Sequence, residues 1–554
     1  MLKYCAVLCA AVSVVSGGAF GVPFDSTTGS AVVATVNPVG GDYASIATAS
    51  AAFSSTSGIN RPWTLEIQTT MTETSDSYFG NTFGAGGSLT IRPKAGIEPL
   101  VNFNNFLAPA GNSIAGHLVF GVTNSSVVSA TNVRASSSRY ILDGCSTPGG
   151  TARELTFTTA IGSDSHNRVV RVFGANTGVV IKNMIIRNND ADGNCACISY
   201  SSGNVSGVGN IFPDNGMIQN CSLSCLGTGP NGMGVETGNA TSAAPPVGQA
   251  IQGLAVSGNT MDGRQRGVLL NFCGNATITG NRIGVYGIGT SIVHSAIHHS
   301  TSNGAVGWTL TINGNTITMP FLPTVSPPNG GIGINLDTSN IGNYVVSNNI
   351  LQTISFGGPS FADFLVRGIS CGTVNSTYLI EHNSLDLGAA IFATAATTHR
   401  VAAIAVPTTF TTGTAMIRNN ILKFGNPGGN AALISLASAT NVTAVGNNLV
   451  PNGTPNFGVI ADAGAPLITT LAAWRTAGFD SAASGGQTAD PASTTPAWDA
   501  NLHFASKPVG GMGAVATSTV LADVDGQVRP ATSAVPGADE PGGILAGIDD
   551  WSRF

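Results

Sequence analysis

The segment LTINGNTITM, Leu310 to Met319, is one copy of a short phrase that recurs through the middle of the chain. Each copy has a central position, usually Asn, with one aliphatic residue three places before it and another two places after it. The central positions are Asn183, Cys221, Asn259, Asn281, Asn315, Asn349, Asn383, Asn420 and Asn448, which lie 22 to 38 residues apart. Repetition at this period predicts a solenoid, in which each coil stacks on the next.

Two aliphatic columns run through all nine copies. Three places before the centre stand Val180, Ile218, Val256, Ile278, Ile312, Val346, Ile380, Ile417 and Val445. Two places after it stand Ile185, Leu223, Met261, Ile283, Ile317, Leu351, Leu385, Leu422 and Val450. Both columns are predicted to point into a shared core. The residue before the centre is Gly or Asn except at Lys182 and His382, and these types accept positive φ at low cost, which predicts a tight bend between two short strands.

Stacked coils of this kind form parallel strands about 4.8 Å apart. In register, the Asn side chains stand above one another, and each amide can donate to the next in an asparagine ladder that Cys221 interrupts once. The pattern resembles the right-handed parallel β-helix proteins of the pectate-lyase-like superfamily, over residues 136–462. The resemblance implies an all-β, right-handed parallel β-helix of about ten or more coils.

The chain before the repeats divides into two segments. Residues 1–21, MLKYCAVLCAAVSVVSGGAFG, combine one Lys, an apolar run and small residues, which is typical of a secretory signal peptide. The run is too short to span a bilayer. Residues 22–135 predict an N-terminal cap and first irregular coils, because DYASIATASAAF has apolar residues at helical spacing and PWTLEIQTTMTET resembles a strand. Such a cap would cover the open end of the solenoid.

Residues 463–554 predict an irregular C-terminal cap and tail. LAAWRTAGF indicates a short closing helix, and a stretch rich in Gly, Pro and Ala follows. The tail contains DVDGQVRP, Asp523 to Pro530, and PGADE, Pro536 to Glu540, and is similar to the ends of many secreted bacterial β-helix proteins. The D-V-D-G element could begin a calcium loop, but too few ligand positions follow, so no cofactor is predicted.

The composition argues against a nucleic-acid partner. The chain has a net charge of −6 and only 9% charged residues, whereas nucleic-acid binding needs clustered Lys and Arg. The 72 Gly suit the turns of a solenoid, and 42% hydrophobic residues argue against disorder. No later apolar run is long enough for a transmembrane segment. We therefore expect a secreted protein, extracellular or held at the cell surface.

Seven cysteines follow the predicted signal peptide: Cys145, Cys195, Cys197, Cys221, Cys225, Cys273 and Cys371. The four from Cys195 to Cys225 fall on adjacent coils and are donor types that could bind zinc. Stacked thiols or one or two disulfides are the favoured interpretation, because free Cys packs well in inward columns and secretion permits disulfides. No metal site is predicted.

A further strand precedes each Asn motif and alternates with period two. If its aliphatic residues point inward, the outward column is Arg171, Ser199, Glu236, Leu269, His298, Gly333, Ser370, Ala405 and Ser435. The resemblance implies that this face carries substrate and catalytic groups, so Arg171 and Glu236 are the candidate catalytic residues. The long loops after Ser199 and Glu236 could wall a groove above them.

The residues for known β-helix chemistries are sparse on this face. A glycosidase needs two or three carboxylates about 5 to 10 Å apart, but Glu236 has no neighbouring carboxylate in register. A lyase needs a base beside a neutralised uronate carboxylate, and the column from Gly333 onward offers only Gly, Ala and Ser. The N-T-D, D-D and G-H-G elements of polygalacturonases, the W-x-D-H pattern of lyases, and the Q-D-T-L and G-R-P-W elements of pectin methylesterases are absent from the repeats.

The densest charged constellation is Asp262, Arg264, Arg266 and Arg282. Because Asn259 and Asn281 are only 22 residues apart, direct stacking of their coils would place Arg282 beside Asp262. The arginines could hold a sugar carboxylate, although a network of surface ion pairs is favoured.

The same register predicts the positions of two other sets of residues. Glu381 with Arg418, and Asp386 with Lys423, are predicted to form ion pairs between adjacent coils. Among His294, His298 and His299, alternation places His298 outward, as a candidate binding residue, and His299 inward. This division argues against a shared metal ion.

Three functions are compatible with these residues. The leading hypothesis is a secreted or cell-surface protein that binds glycans or neighbouring surface molecules without a catalytic set. The alternative is a polysaccharide lyase or glycoside hydrolase that acts on an acidic polysaccharide near Arg171 and Glu236. The third is a structural stalk or surface-layer component.

Overall fold

The computed structural model describes residues 24–539 with internal gaps. The gaps are residues 57, 82, 105–115, 122–138, 161–167, 175, 191–194, 206–208, 228–230, 239–249, 288–292, 302–306, 321–329, 338–340, 353–364, 373–375, 388–400, 408–409, 425–430, 451–456, 461–465, 481–517 and 530–534. The predicted signal peptide, residues 1–21, lies outside the described residues, as do Pro530 and Glu540 of the tail elements.

The chain forms a right-handed parallel β-helix, which confirms the predicted fold. Within the described residues three parallel sheets, here called sheets 1, 2 and 3, run along the solenoid with 13, 12 and 12 strands. From Pro62 onward each coil contributes one strand to each sheet in turn, so neighbours in a sheet are one coil apart in the chain. The helices are α1, Ile46–Ser54, and α2, Leu471–Thr476.

The strands are as follows. Sheet 1 consists of Val32–Val36, Pro62–Ile67, Ser88–Pro93, Tyr140–Asp143, Val180–Lys182, Met217–Gln219, Leu254–Ser257, Ala276–Thr279, Thr309–Asn313, Asn343–Ser347, Thr377–Glu381, Thr414–Arg418 and Val442–Val445. Sheet 2 consists of Met71–Glu73, Leu100–Phe103, Leu155–Thr159, Met184–Arg187, Ser222–Cys225, Thr260–Gly263, Arg282–Val285, Thr316–Thr318, Ile350–Gln352, Ser384–Leu387, Ile421–Phe424 and Asn448–Val450. Sheet 3 consists of Ser77–Phe79, Leu118–Phe120, Arg168–Phe173, Cys195–Ser201, Gly232–Thr237, Arg266–Asn271, Val293–Thr301, Gly330–Leu336, Leu365–Cys371, Val401–Val406, Ala431–Leu436 and Gly458–Ile460. A separate antiparallel pair joins Gly203–Val205 to Gly209–Ile211.

The bend between sheets 1 and 2 is where the repeated phrase lies. In LTINGNTITM, Ile312 on sheet 1 and Ile317 on sheet 2 are both fully buried in the shared core. Gly314 between them has φ of 67°, the left-handed conformation that glycine adopts without strain. The alternation of the phrase thus sends two aliphatic side chains inward on either side of one tight turn.

Asparagine amides link the coils at this bend. The Nδ2 group of Asn315 donates to Oδ1 of Asn349 at 2.9 Å and to the carbonyl of Ile278 at 2.9 Å. The backbone N–H of Asn315 also donates to Oδ1 of Asn349, at 3.1 Å. The side-chain bonds to the next coil recur from Asn259 to Asn420, so each buried amide oxygen accepts two bonds from the preceding coil.

The predicted register is wrong by one residue at both ends of the repeat. Asn183 has φ of 57° and occupies the bend position, so the central position of its coil is Met184. The inward residues of that coil are Ile181 and Ile186, because Ile181 pairs with Ile218 and Ile186 pairs with Leu223. The coil carries no Gly before its Asn, and the Asn itself adopts the left-handed conformation that glycine adopts elsewhere.

In the last copy of the phrase two consecutive asparagines, Asn447 and Asn448, could each occupy the central position. Gly446 takes the positive φ of 68°, and Asn447 rather than Asn448 accepts the bonds from Asn420. The inward residues are accordingly Ala444 and Leu449, not Val445 and Val450. Asn447 then donates to Asp480, which ends the row, and Asp480 also accepts from Nε1 of Trp474 in α2 at 3.0 Å.

The inter-coil ion pairs are confirmed. Glu381 and Arg418 are cross-strand partners with their charged atoms 2.7 Å apart, and Asp386 and Lys423 are partners at 2.8 Å. Sheet 1 holds the Glu381 pair, and sheet 2 holds the Asp386 pair. The register predicted for the central coils is therefore correct.

Helix α1 confirms the helix predicted from DYASIATASAAF. Ser45 caps its first turn in a capping box with Thr48, and Phe53 joins the core. The carboxylate of Glu73 accepts from the N–H groups of Ile46 and Ala47, which places a buried negative charge at the helix N-terminus. Burial raises the pKa of Glu73, and those two hydrogen bonds oppose the rise.

The C-terminal tail folds back onto the bends. The Arg529 guanidinium donates to the carbonyls of Gly537 and Ala538 and to Oδ1 of Asn348, and Gly537 donates to the carbonyl of Asn419. In the D-V-D-G element, Oδ1 of Asp523 accepts from the N–H groups of Asp525 and Gln527. The tail elements therefore brace one side of the solenoid.

Replacement of Asn315 by Ala should destabilise the fold. The change leaves the N–H of Asn281 and the carbonyl of Ile278 buried without these partners, at roughly 1–3 kcal/mol for each unsatisfied group. Asn343→Ala removes the same amide from an exposed position of sheet 1 and should change the unfolding free energy by less than about 0.5 kcal/mol. Urea unfolding of both variants is the measurement, and equal midpoints would contradict the account.

Candidate functional site

The outer face of sheet 3 carries the predicted outward column. Cross-strand pairing connects Arg171, Ser199, Glu236, Leu269 and His298 in the predicted order. The next member is Asn335, not Gly333, because His298 pairs with Asn335, which in turn pairs with Ser370. Ala405 and Ser435 then follow as predicted.

A kink in the central strands of sheet 3 explains the error at Gly333. The registers skip one residue in every central strand, and the residues on both sides of the skipped position pair normally. Two consecutive residues, such as Val169 and Val170, consequently lie in the core. Gly267 occupies the skipped position in its own coil, where a Cβ would collide with Ile283.

The kink creates a second outward column three residues upstream of the first. Its members are Arg168, Ala196, Met233, Arg266, Ser295, Ile332, Arg367, Ala402 and Ala432. Strict alternation places Arg168 and Ser295 inside, so sequence reasoning missed them as site residues. A charged Arg at a position assigned to the core was the signal that could have revealed the kink.

Glu236 is held by Arg168 across an intervening strand. The guanidinium of Arg168 makes three hydrogen bonds of 2.8 to 3.1 Å to the two carboxylate oxygens of Glu236. The strand between them has Ala196 at this position, whose small side chain leaves room for the crossing. The side chain of Glu236 is only 3% exposed, so this bidentate pair is a buried one.

Arg171 lies deeper in the same face. Its Nε donates to Oγ of Ser201 at 3.0 Å, and its guanidinium carbon lies 5.6 Å from the ring centroid of Phe173. Burial lowers the pKa of Arg171 to about 10, the Arg168 charge adds to the fall, and Glu236 opposes it. The side chain remains cationic at neutral pH.

Arg266 completes the charged group. Its Nη1 donates to Oε1 of Gln265 at 2.8 Å, its Nε has no partner, and it forms no ion pair with any carboxylate of the described chain. Burial lowers the pKa of Arg266 to about 10, and Glu236 opposes the fall. Arg266 lies on the strand next to that of Glu236, and Arg168 and Arg171 lie two strands away on the other side.

Polar atoms without partners lie beside Arg266. Ser295, its cross-strand neighbour, is 1% exposed and its Oγ makes no hydrogen bond in the described structure. Both ring nitrogens of His298 are likewise without partners. Burial lowers the pKa of His298 to about 3, with Arg266 contributing, so the imidazole is neutral. Arg168, Arg171, Glu236, Arg266, Ser295 and His298 are together called the arginine patch.

His299 points into the core, as predicted, while His298 points outward. The Nδ1 atom of His299 lies 2.9 Å from the hydroxyl of Tyr344, and its Nε2 atom lies 2.8 Å from the carbonyl of Cys273. His294 instead contacts the carbonyl of Arg264 through Nδ1 at 3.0 Å. The three histidines therefore do not share a ligand position.

The constellation of Asp262, Arg264, Arg266 and Arg282 is not a single cluster. The coils of Asn259 and Asn281 stack directly, as predicted, and Arg282 is the diagonal neighbour of Asp262, because it is opposite Thr260. The two side chains form no ion pair in the described structure. The chain turns after the sheet 2 strand Thr260–Gly263, which puts Arg266 on sheet 3. Arg264 lies in the turn and donates to the carbonyls of Leu226 and Gly227.

Asp262 is affected by both Tyr286 and Arg282. Burial raises its pKa, a hydrogen bond from the Tyr286 hydroxyl opposes the rise, and the Arg282 charge contributes less. Arg282 is exposed on sheet 2. Of the four residues, only Arg266 belongs to the arginine patch.

The structure describes no group of three or more His, Cys, Asp or Glu side chains placed to hold a metal ion. The seven cysteines are buried thiols, and the sulfur atoms of Cys195 and Cys225 are 3.2 Å apart. Cys221 lies apart from that pair at the ladder position, where its N–H donates to Asn259. The predicted groove walls, the loops after Ser199 and Glu236, lie partly outside the described residues.

Comparison with known proteins gives structural neighbours only. No protein-family model matches the chain, and no curated protein sequence matches it. Similar solved structures include pectate lyase Pel9A, with 10% identity, a TM-score of 0.38 and coverage of 93% of this chain and 97% of that chain. XylC in complex with xylose has 9% identity, a TM-score of 0.41 and coverage of 92% and 99%. PfbA, a surface adhesin of Streptococcus pneumoniae, has 11% identity, a TM-score of 0.24 and coverage of 72% and 78%. At these values the likeness concerns the fold alone.

Replacement of Arg168 should destabilise the fold, because it leaves the buried carboxylate of Glu236 without its ion-pair partner. We expect Arg168→Ala to lower the unfolding free energy by roughly 3–5 kcal/mol, and Glu236→Gln in that background to recover most of the loss. Arg187→Ala, which removes an exposed arginine of sheet 2, is the matched control with a change below about 0.5 kcal/mol. Denaturant unfolding measures all three, and no recovery in the double variant would contradict the pairing.

His299 should make the fold sensitive to mild acid. Burial lowers the pKa of His299 from its usual value of 6.5 to about 4. Below pH 6.5 the unfolded chain therefore binds a proton at this residue that the folded chain does not bind. Stability is therefore complete above pH 6.5 and falls as the pH drops toward 4, by about 3 kcal/mol for this residue. His299→Gln should show a smaller fall in the same titration of thermal stability. Identical pH profiles would contradict this assignment.

Proposed function

We propose that this protein is a secreted or cell-surface β-helix protein that binds a carboxylate-bearing glycan at the arginine patch, without cleaving it. The observation that carries the proposal is the half-buried guanidinium of Arg266, which forms no ion pair with any carboxylate of the described residues. Glu236, the carboxylate on the adjacent strand, is already bonded to Arg168, and the chain as a whole has a net charge of −6. Such a site attracts an anion that the rest of the chain repels.

Arg266 provides the chemistry for a carboxylate. Its planar guanidinium can donate two parallel hydrogen bonds to a carboxylate, and it has no carboxylate partner among the described residues. Arg168 is already engaged by Glu236. A uronate group placed over Arg266 would also lie next to Ser295 and His298, whose unpartnered atoms can bond to sugar hydroxyls.

The same geometry supports binding rather than cleavage. Glu236 is the sole carboxylate of the two outer columns over the described part of sheet 3, whereas hydrolysis of a glycosidic bond uses a pair. Its two oxygens accept three hydrogen bonds from Arg168, which oppose its use as an acid. The column of Arg171 and Glu236 holds no second carboxylate over the described strands of sheet 3.

The extracellular location rests on the N-terminal segment, whose sequence is typical of a secretory signal peptide. In the described chain, neither helix combines the length and apolar character needed to cross a membrane.

A second candidate is a polysaccharide lyase, because of one observation. His298 is a neutral imidazole with both nitrogens unpartnered, and it lies near the Arg266 charge. In that role Arg266 would neutralise the uronate and His298 would accept the proton next to it. The same experiment separates the two candidates.

The proposed function is tested by binding measurements on the purified mature chain. We expect affinity for polygalacturonate or alginate oligosaccharides and weak affinity for a neutral glucan, since only the former carry carboxylates. Arg266→Ala should weaken binding by about 10- to 100-fold, equivalent to the roughly 1.5–3 kcal/mol of a hydrogen bond to a charged group. Binding should also weaken as salt rises.

Arg282→Ala is the matched control, because it removes one positive charge from an exposed position of sheet 2. Retained affinity in this variant and loss in Arg266→Ala supports the arginine patch. Release of unsaturated or reducing ends that disappears in His298→Ala would replace the binding proposal with the lyase. No binding to any charged or neutral glycan would favour a structural stalk.

A further inference from the structure

The outer face of sheet 1 carries an uncharged column that crosses all 13 strands described for that sheet. Cross-strand pairing connects its members in one unbroken register: Val33, Thr64, Thr90, Ile141, Val180, Met217, Ala255, Thr277, Thr311, Val345, Leu379, Met416 and Thr443. Aliphatic side chains and threonine methyls therefore form one continuous stripe.

Solvent reaches this stripe along its whole length. Each of its members is half-buried or exposed, and the exposed fractions of Val33, Met217 and Met416 are 48%, 38% and 37%. The tail adds a further exposed apolar residue at one edge, since Leu521 is 78% exposed and shares a cleft of about 580 Å³ with Val345 and Ser347. Contiguous apolar surface of this extent marks an interaction site on a soluble protein.

The neighbouring outward column neutralises its own charges. Glu66 pairs with Arg92 at 2.9 Å, and Lys182 pairs with Asp143 at 3.0 Å. Glu381 and Arg418 form the third pair of this column. These ion pairs therefore leave the outer face of sheet 1 without a net charge, unlike the arginine patch on sheet 3.

We propose that the outer face of sheet 1 is the interface of a homodimer, in which a second copy of this chain packs face to face with the first. In this dimer a twofold axis passes near Ala255, the middle member of the stripe. The N-terminal end of the stripe in one copy then faces the C-terminal end of the stripe in the other copy. Because the column is uncharged throughout, this arrangement brings no like charges together. A self-complementary face of this type is what the commonest symmetry of oligomers requires.

The dimensions suit a dimer. Twelve intervals of about 4.8 Å make the stripe about 58 Å long. In the second outward column Ser347, Glu381 and Arg418 are buried, and Thr519 of the tail donates to Glu381, so the face is roughly 12 Å wide from Val33 to Thr311 and roughly 6 Å wide beyond. The product is about 580 Å² for each copy, or about 1,150 Å² in total, which exceeds the roughly 1,000 Å² expected of a specific interface. Met217 and Met416 add side chains that adapt to an opposing surface.

Other occupants fit the stripe less well. An acidic or basic partner finds no complementary charge, because the ionised groups beside the stripe are already paired. A membrane surface is usually met by Lys, Arg and aromatic side chains, and the stripe contains none of these.

The test is the molar mass of the mature chain in solution, by sedimentation equilibrium over a concentration series. We expect a dimer for the wild type. Thr311→Lys and Ala255→Lys place a charge in the interface and should weaken the dimer at least about 30-fold, since burying an unpaired charge is costly.

Thr316→Lys is the matched control, because Thr316 belongs to the same ten-residue phrase and faces outward from sheet 2. Circular dichroism checks that each variant is folded. If Thr311→Lys does not fold, Ala255→Lys provides the test of the interface. A dimer lost in both sheet 1 variants and kept in Thr316→Lys supports the interface. A monomeric wild type, or a dimer that persists in both sheet 1 variants, would overturn it, whatever the outcome of glycan binding.

Discussion

The asparagine bonds at the bend between sheets 1 and 2 are the constraint on which the rest of the structure depends. Each buried amide oxygen accepts two hydrogen bonds from the coil before it, and each Nδ2 group donates both onward and to a backbone carbonyl. A slip of one residue would leave these groups unsatisfied in the core and turn every side chain of the strand to the opposite face. The row therefore sets the register of the central coils.

Strict register gives the three outer faces separate properties. Sheet 1 presents an uncharged stripe beside ion pairs that cancel, and sheet 2 carries scattered charges such as Asp262 and Arg282. On sheet 3 the kink brings a second column outward, and Arg168 and Arg266 of that column lie on either side of the strand that carries Glu236. One solenoid can thus carry the proposed glycan site and the proposed self-association surface at the same time, because they lie on different faces.

Much of the fold could be predicted from the sequence, because the apolar columns and the Gly–Asn bends recur at a period that can be read from the sequence. The ion pairs of Glu381 and Asp386 followed from the same register. The ends could not be placed in the same way, because Asn183 and the pair Asn447 and Asn448 each satisfy the motif in two registers. Local residue types do not decide between them, whereas the hydrogen bonds of the neighbouring coil do.

The candidate site was less predictable for a geometric reason. Period-two alternation holds only within an unkinked strand, so it placed Arg168 in the core and Gly333 on the surface. The kink depends on the stacking of several coils, and no single coil reveals it. Arg171, Glu236 and His298 were found because they lie on the column that the kink leaves in phase, while Arg168 and Ser295 lie on the other.

Cysteine cross-linking tests this central claim, the kinked register of sheet 3, most directly. The Cα atoms of cross-strand partners lie within the range that a disulfide spans. The account predicts that His298→Cys with Asn335→Cys forms a disulfide on mild oxidation, identified by peptide mass spectrometry, and that His298→Cys with Gly333→Cys does not. A cross-link in the Gly333 pair and none in the Asn335 pair would contradict the register and, with it, the composition of the arginine patch.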